Sequence, residues 1–340
     1  MRHSYLFSLF FLLLTVPVMA QNPVLPDFHA DPEVMYSHQT GRYYIYSTTD
    51  GVAGWAGTYY TAYSSADLKE WTLEGNVLDL ATAQVRWASG NAWAPAIEEV
   101  QQPDGSYLYY LYFSGNAGRR KEIGVAVAPT PVGPFTDSGQ PLISDSPVGH
   151  GQQIDVDVFT DPVSGKPYIY WGNGYLAGAE LNADRVSLKE GTLRVLTPPG
   201  GTLRDYAFRE GVYVFYRNGI YYFLWSVDDT ASDNYHVAYG TSTSPLGPIR
   251  VADDPVILRQ DPDAGIYGTA HNSVLQRPDT DEWYIVYHRI NTKWRGSRDA
   301  GFHRETCIDR LTFNPDGTIQ PVRPTHEGVC LTPLTKQKKR

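Results

Sequence analysis

A tyrosine heading an apolar strand recurs five times along the chain, and this repetition constrains the fold more than any other feature. The copies are Tyr44-Ile45-Tyr46-Ser47, Tyr110-Leu111-Tyr112-Phe113-Ser114, Tyr168-Ile169-Tyr170-Trp171-Gly172, Tyr222-Phe223-Leu224-Trp225-Ser226 and Tyr284-Ile285-Val286-Tyr287-His288. Their leading tyrosines are 66, 58, 54 and 62 residues apart. Aromatic and β-branched residues suit a pleated, half-buried surface. A second strand closed by a polar turn follows most copies, as in Ala62-Tyr63-Ser64-Ser65 and Val237-Ala238-Tyr239-Gly240. Strand-turn-strand units of about 60 residues fit the blades of a β-propeller, each a small antiparallel sheet. A β-solenoid has shorter repeats. The prediction is an all-β, single-domain, five-bladed propeller over 21–340, with one short turn of helix at Asp67–Trp71.

Residues 1–20 read differently. Arg2 and His3 precede an apolar run from Leu6 to Val16, which ends at Val18-Met19-Ala20. This is the pattern of a cleavable signal peptide, and the run is shorter than the roughly 20 residues that span a bilayer. The expected location is secreted or periplasmic. No later stretch is apolar enough to span. Export permits a Cys307–Cys330 disulfide; two free thiols fit the sequence equally well. The net charge of −9 argues against a nucleic-acid or anionic-membrane partner, and a monomer is expected.

Counting back from the tyrosines locates candidate chemistry. Asp31, Asp155 and His271 each lie 13 residues before a leading tyrosine, and Glu210 lies 12 before. In the second unit the offset falls within Trp93–Glu98, with its register open. Each position opens an apolar run that reads as the innermost strand of a blade. Equivalent ends of such strands converge on the propeller axis. Any one of these acids could simply cap a turn, as Asp-Pro pairs do; four residues at nearly one offset are harder to explain that way. Carboxyls crowded on an axis acquire separated pKa values suited to acid and base roles. Lined by aromatics such as Trp55 and Trp93, they suit glycoside hydrolysis, which needs one protonated and one ionised carboxyl.

At this point the chain resembles glycoside hydrolase family 43. The matching stretches are His29-Ala30-Asp31-Pro32 after Asn22-Pro23, Trp93-Ala94-Pro95, Ile154-Asp155-Val156-Asp157, Arg209-Glu210-Gly211, His271-Asn272-Ser273, Tyr287-His288 and Arg304-Glu305-Thr306. Asp-Pro or Glu-Gly alone is a common pair; the ordered set at blade spacing is specific. The resemblance implies an inverting enzyme with Asp31 as general base, Glu210 as general acid and Asp155 holding the acid protonated. It further implies that Arg304 binds the sugar, that His29 and Trp93 line its subsite, and that His271 stands beside a hydrated metal ion. That ion would be a structural calcium or sodium near the axis; no cofactor is required for the reaction. Many relatives carry Asp after Trp-Ala-Pro, where this chain has Ala96.

Other classes fit less well. A sialidase-like propeller would repeat Ser-x-Asp-x-Gly-x-x-Trp boxes, and Ser65–Trp71 is a single partial copy. There is no His-Glu-x-x-His for zinc and no Gly-x-Ser-x-Gly elbow. A binding-only propeller would tolerate loss of the acid or base, yet all three carboxylates are present. The predicted partner is an arabinose- or xylose-containing polysaccharide or oligosaccharide. The loop Gly51–Tyr59 with Trp55, and the segment Asn291–His303, would wall off one end of the pocket. An exo-acting α-L-arabinofuranosidase is therefore expected, with a β-xylosidase or another activity of the family as the alternative.

Overall fold

The computed structural model describes residues 21–144 and 148–332; the predicted signal peptide lies outside them. The sheets follow the repeat. The first is β1 (His29–Ser37), β2 (Arg42–Thr49), β3 (Tyr59–Ser65) and β4 (Thr72–Asp79), and the second β5 (Trp93–Gln101), β6 (Tyr107–Ala117), β7 (Arg120–Ala128) and β8 (Thr136–Asp137). The third is β9 (Asp157–Thr160), β10 (Pro167–Trp171), β11 (Ala177–Glu180) and β12 (Arg194–Val195). The fourth is β13 (Glu210–Arg217), β14 (Ile220–Val227), β15 (His236–Ser242) and β16 (Arg250–Leu258), and the fifth β17 (Ala270–Gln276), β18 (Trp283–Ile290) and β19 (Arg304–Leu311). All pair as antiparallel meanders in chain order. The chain is a five-bladed β-propeller.

Each leading tyrosine sits in the second strand of its blade and is buried. The first strands touch one another around the ring, with β17 returning to β1. Five apolar clusters fill the five seams between neighbouring blades. The tyrosine repeat thus marks the residues that glue blade to blade. Among the described residues blade five has three strands, and Asn22–Val24 lie along its outer edge. There Val24 N–H donates to Thr306 O (2.9 Å), and Asn22 exchanges bonds with the Ile308 backbone through Oδ1 (2.8 Å) and Nδ2 (3.1 Å).

Two details depart from the sequence reading or complete it. The segment Asp67–Trp71 is not helical: Asp67 Oδ1 accepts the N–H groups of Lys69 and Glu70 at 3.0 Å, closing a turn on a side chain. Cys307 is buried, Cys330 is exposed, and both are free thiols. No helix among the described residues is long and apolar enough to cross a membrane.

Candidate active site

The inner strands open on a shared kink. Asp31, Ala94, Asp155, Gly211 and His271 all have positive φ, between 37° and 61°. In blades one, two, four and five the ladder slips at this point. Such bulges re-aim a side chain, and here they turn the strand ends toward the axis. This settles the open register of blade two, which contributes Ala94 and hence no carboxylate. It also corrects the position of Glu210, which lies one residue before the kink rather than on it. The reason is a shorter hairpin: β13 turns into β14 through Asn218-Gly219, with Arg217 paired to Ile220, whereas Ser37 and Arg42 of blade one enclose four residues.

A ring of hydrogen bonds locks the kinks together. In four blades a side chain four residues after the leading tyrosine accepts the N–H of the next blade's kink residue. Thr48 Oγ1 accepts from Ala94 (2.8 Å), Ser114 Oγ from Asp155 (3.2 Å), Ser226 Oγ from His271 (3.0 Å) and His288 Nδ1 from Asp31 (3.2 Å). Blade three has Gly172 at this place, and Asp155 itself accepts the Gly211 N–H instead. No larger residue fits at 172. Its φ is 133°, and an added Cβ would lie 2.1 Å from Tyr175 O. Gly211 is equally fixed, because a Cβ there would press on Ser226 Oγ at 2.9 Å and the His271 ring at 3.1 Å.

Three carboxyls therefore meet on the axis in different surroundings. Asp31 accepts from Thr48 Oγ1 (2.7 Å) and Arg304 Nη1 (3.0 Å), with His271 Nδ1 at 3.1 Å. Burial alone would raise its pKa, but the Arg304 and His271 charges overcome this and hold it well below the carboxylate range. Asp31 is ionised. Asp155 is pushed far up, first by burial and then by the charges of Glu210 and Asp31. Its Oδ2 is buried with no hydrogen-bond partner. Glu210 is also raised by burial, against the pull of His271, Tyr235 and Arg209. Tyr235 OH donates to its Oε1 (2.8 Å) and Asn173 Nδ2 to its Oε2. One ionised carboxylate thus faces a pair that keeps a proton.

These groups line a hollow of about 230 Å³. Arg304, Arg209, Asn173, His271 and Thr230 form its polar sides, and Trp55 and Trp93 its aromatic wall. That wall is braced: Trp55 Nε1 donates to Gly301 O (2.7 Å), Trp93 Nε1 to Trp55 O (2.8 Å), and Lys121 Nζ lies 4.1 Å over the Trp93 ring. A wider hollow of about 380 Å³ near Tyr239, Arg250 and Asp316 holds none of the sequence-predicted residues.

Seven of the eight candidate residues line the smaller hollow; His29 does not. It is buried outside the lining, with Nδ1 3.0 Å from Ser47 Oγ and Nε2 3.1 Å from Tyr63 OH, and burial lowers its pKa to about 4. His29 supports the strand end that carries Asp31. Sequence reasoning missed Asp50, which takes Arg304 Nε (2.8 Å) and Nη2 (3.1 Å) and so fixes the guanidinium that holds Asp31. It also missed Thr48, Tyr235 and Asn173. The neighbours of His271 bear on the expected metal ion. Hard cations take about six to eight oxygen ligands, whereas both Asp31 oxygens are already engaged. Among the described residues no three His, Cys, Asp or Glu side chains converge on an ion. The expected ion beside His271 is a hydrated one; a cation there would be held through its own waters and not by a shell of side-chain carboxylates.

One ionised carboxylate opposite a pair that keeps a proton is the arrangement that hydrolysis of glycosidic bonds uses. Comparison with known proteins gives the same answer, since residues 20–319 match the model of "Glycosyl hydrolases family 43". The chain belongs to glycoside hydrolase family 43. It is 37% identical over 321 residues to the β-D-galactofuranosidase xynD of Aspergillus niger, covering 91% of this chain and 87% of that protein. It is 28% identical to the arabinoxylan arabinofuranohydrolase of Bacillus subtilis, covering 91% of this chain but 65% of that longer protein. A thermostable family-43 glycoside hydrolase of known structure superposes with a TM-score of 0.76 at 28% identity, covering 90% of this chain and 97% of that one.

Proposed function

We propose that this family 43 glycosidase is exported through its first twenty residues and acts as a monomer. In this reading it releases terminal L-arabinofuranose from arabinose- or xylose-containing chains with inversion at the anomeric carbon. The observation that carries the exo reading is the small hollow, braced on one side by the bond between Trp55 and Gly301. A single sugar fills such a space; a long chain would need an open cleft.

In this mechanism Asp31 takes a proton from water as the water oxygen bonds to the anomeric carbon. Glu210 gives its proton to the glycosidic oxygen as the bond to that carbon breaks. Asp155, close beside Glu210, keeps the proton on the pair until it is needed. Arg304, fixed by Asp50, holds Asp31 ionised and faces the sugar.

A second reading has its own support. The relative that is 37% identical is a β-D-galactofuranosidase. Chemically, β-D-galactofuranose is α-L-arabinofuranose with one more hydroxymethyl group on the exocyclic carbon, so one ring subsite serves both. A product screen on aryl α-L-arabinofuranoside, β-D-galactofuranoside and β-D-xyloside decides. Preferential turnover of the arabinofuranoside supports the first reading, and preference for either other sugar replaces it. Release of long oligosaccharides from debranched arabinan would sink the exo assignment. Asp31→Ala and Glu210→Ala should each lose about 10²–10⁴-fold in kcat; unchanged turnover in either removes that residue from its role.

A further inference from the structure

Arg209 is placed beside the proton donor in an unusual way. Its backbone is clamped on both sides, with its N–H donating to Ser226 O (3.0 Å) and its carbonyl accepting from Gly174 N–H (2.7 Å). One end of its guanidinium, Nη2, reaches Asp229 Oδ2 at 3.4 Å near the mouth of the hollow. Its Nε is buried, has no hydrogen-bond partner, and stops 3.8 Å from Glu210 Oε2. That is beyond hydrogen-bond range, and a buried donor left unpaired is costly enough to require an explanation.

The explanation lies in what the reaction does to Glu210. Before the reaction its carboxyl is neutral, with Tyr235 on one oxygen and Asn173 on the other. Once its proton has gone to the glycosidic oxygen, a full negative charge appears in a buried site that already holds Asp31 and Asp155. Arg304 is turned to Asp31, Asp50 and Thr230, which take four of its five N–H donors. His271 also pulls on Glu210, but its Nδ1 is engaged with Asp31. Arg209 Nε is a buried cationic donor beside Glu210 that has no partner.

We infer that Arg209 is a positioning residue for the proton donor: its Nε–H closes on Glu210 Oε2 as the glycosidic oxygen takes the proton. Nothing is oxidised or reduced. The O–H bond of Glu210 and the anomeric C–O bond break, an O–H bond forms on the leaving group, and Arg209 keeps its own proton throughout. Asp229 holds the other end of the guanidinium so that a small shift of Nε completes the contact.

The inference rests on the reading of Glu210 as the donor, and one experiment separates the two. Arg209→Gln, Arg209→Lys and Glu210→Gln are assayed on glycosides of the accepted sugar that differ only in leaving group, from dinitrophenyl through phenyl to methyl. A dinitrophenolate needs no proton; methanol does. Arg209→Gln should lose about 10- to 100-fold in kcat on the methyl and phenyl glycosides and about threefold or less on the dinitrophenyl glycoside. Arg209→Lys, which keeps the charge, should recover part of the loss, and KM should change little. An equal loss across the series, or no gain from lysine, overturns the inference. Glu210→Gln should show the same discrimination more steeply. If it shows none, the reading of Glu210 as donor fails; if it discriminates and Arg209→Gln does not, only the role of Arg209 fails.

Discussion

Blade three and its four neighbours solve one problem in two ways. Each must satisfy the N–H of the next kink residue. Four blades use a threonine, serine or histidine on the second strand, leaving the kink side chain free to face the axis. Blade three has Gly172 there, and the carboxyl of its own kink residue does the work. Asp155 is thereby tied to the Gly211 amide, directly beside Glu210. A missing side chain in the scaffold has brought a carboxyl beside Glu210, the proposed proton donor. In blade three the carboxyl facing the axis is itself the lock, whereas elsewhere a second-strand side chain makes the lock.

Substitutions can break this contrast in graded steps. The largest effect on turnover should come from Asp155→Asn. The amide oxygen still accepts from Gly211, so the melting temperature should hold, while kcat falls about 10²-fold because the like charge beside Glu210 is gone. For the same reason the alkaline limb of the pH–rate profile should move to lower pH. Asp155→Ala should add a stability loss of about 1–3 kcal/mol from the orphaned Gly211 N–H, read by denaturant titration. A fold as stable as the wild type in that variant would refute the shared bond. Asp50→Asn tests the neighbouring support: it leaves Arg304 short of a buried counter-charge and should destabilise by about 3–5 kcal/mol. Ser226→Ala should show the ordinary-blade behaviour, losing about 1–3 kcal/mol with kcat much less affected than in Asp155→Asn.

The most gradual effect is that of pH on stability. Burial lowers His288 to about 3 and His29 to about 4, from the ordinary value of 6.5. In the unfolded chain both take up protons near 6.5; in the folded chain they resist until far lower. Their contribution is therefore complete above pH 6.5 and is lost as pH falls, at up to about 1.4 kcal/mol per unit for each group. Asp31, held low, adds loss in the same direction. Thermal melts across this range should fall toward acid, and His29→Gln should flatten the slope.

The sequence carried the architecture because the blades repeat. Tyr44, Tyr110, Tyr168, Tyr222 and Tyr284 occupy one place in five second strands, and a buried seam position tolerates little change in chemistry. Counting forward four residues from them gives Thr48, Ser114, Gly172, Ser226 and His288, which is the locking ring with its one exception. Counting backward crosses a hairpin whose length varies, and there Glu210 fell one residue out of place. Asp50 and Tyr235 had no such ruler. Asp50 reaches Arg304 only because blades one and five meet on the axis, and Tyr235 reaches Glu210 from the loop between β14 and β15 of the same blade; no local pattern encodes either contact. His29 was misplaced because Asp31, two residues on, faces the hollow while the His29 ring turns to Ser47 and Tyr63.

The seam between Asn22 and β19 has a consequence for how the molecule is made. The two partners are separated by 286 positions in the chain, so the ring cannot shut until nearly all of it has been synthesised. Until then the first sheet emerges with one flank bare, since Val34, Ile45 and Tyr63 belong to a cluster completed only by Tyr284, Val286 and Ile308. Blades one to four can stack on one another as they appear, but the open ring presents a sticky edge at each end. The last blade acts on both edges at once, which makes closure a single late event that determines when the chain ceases to be prone to association.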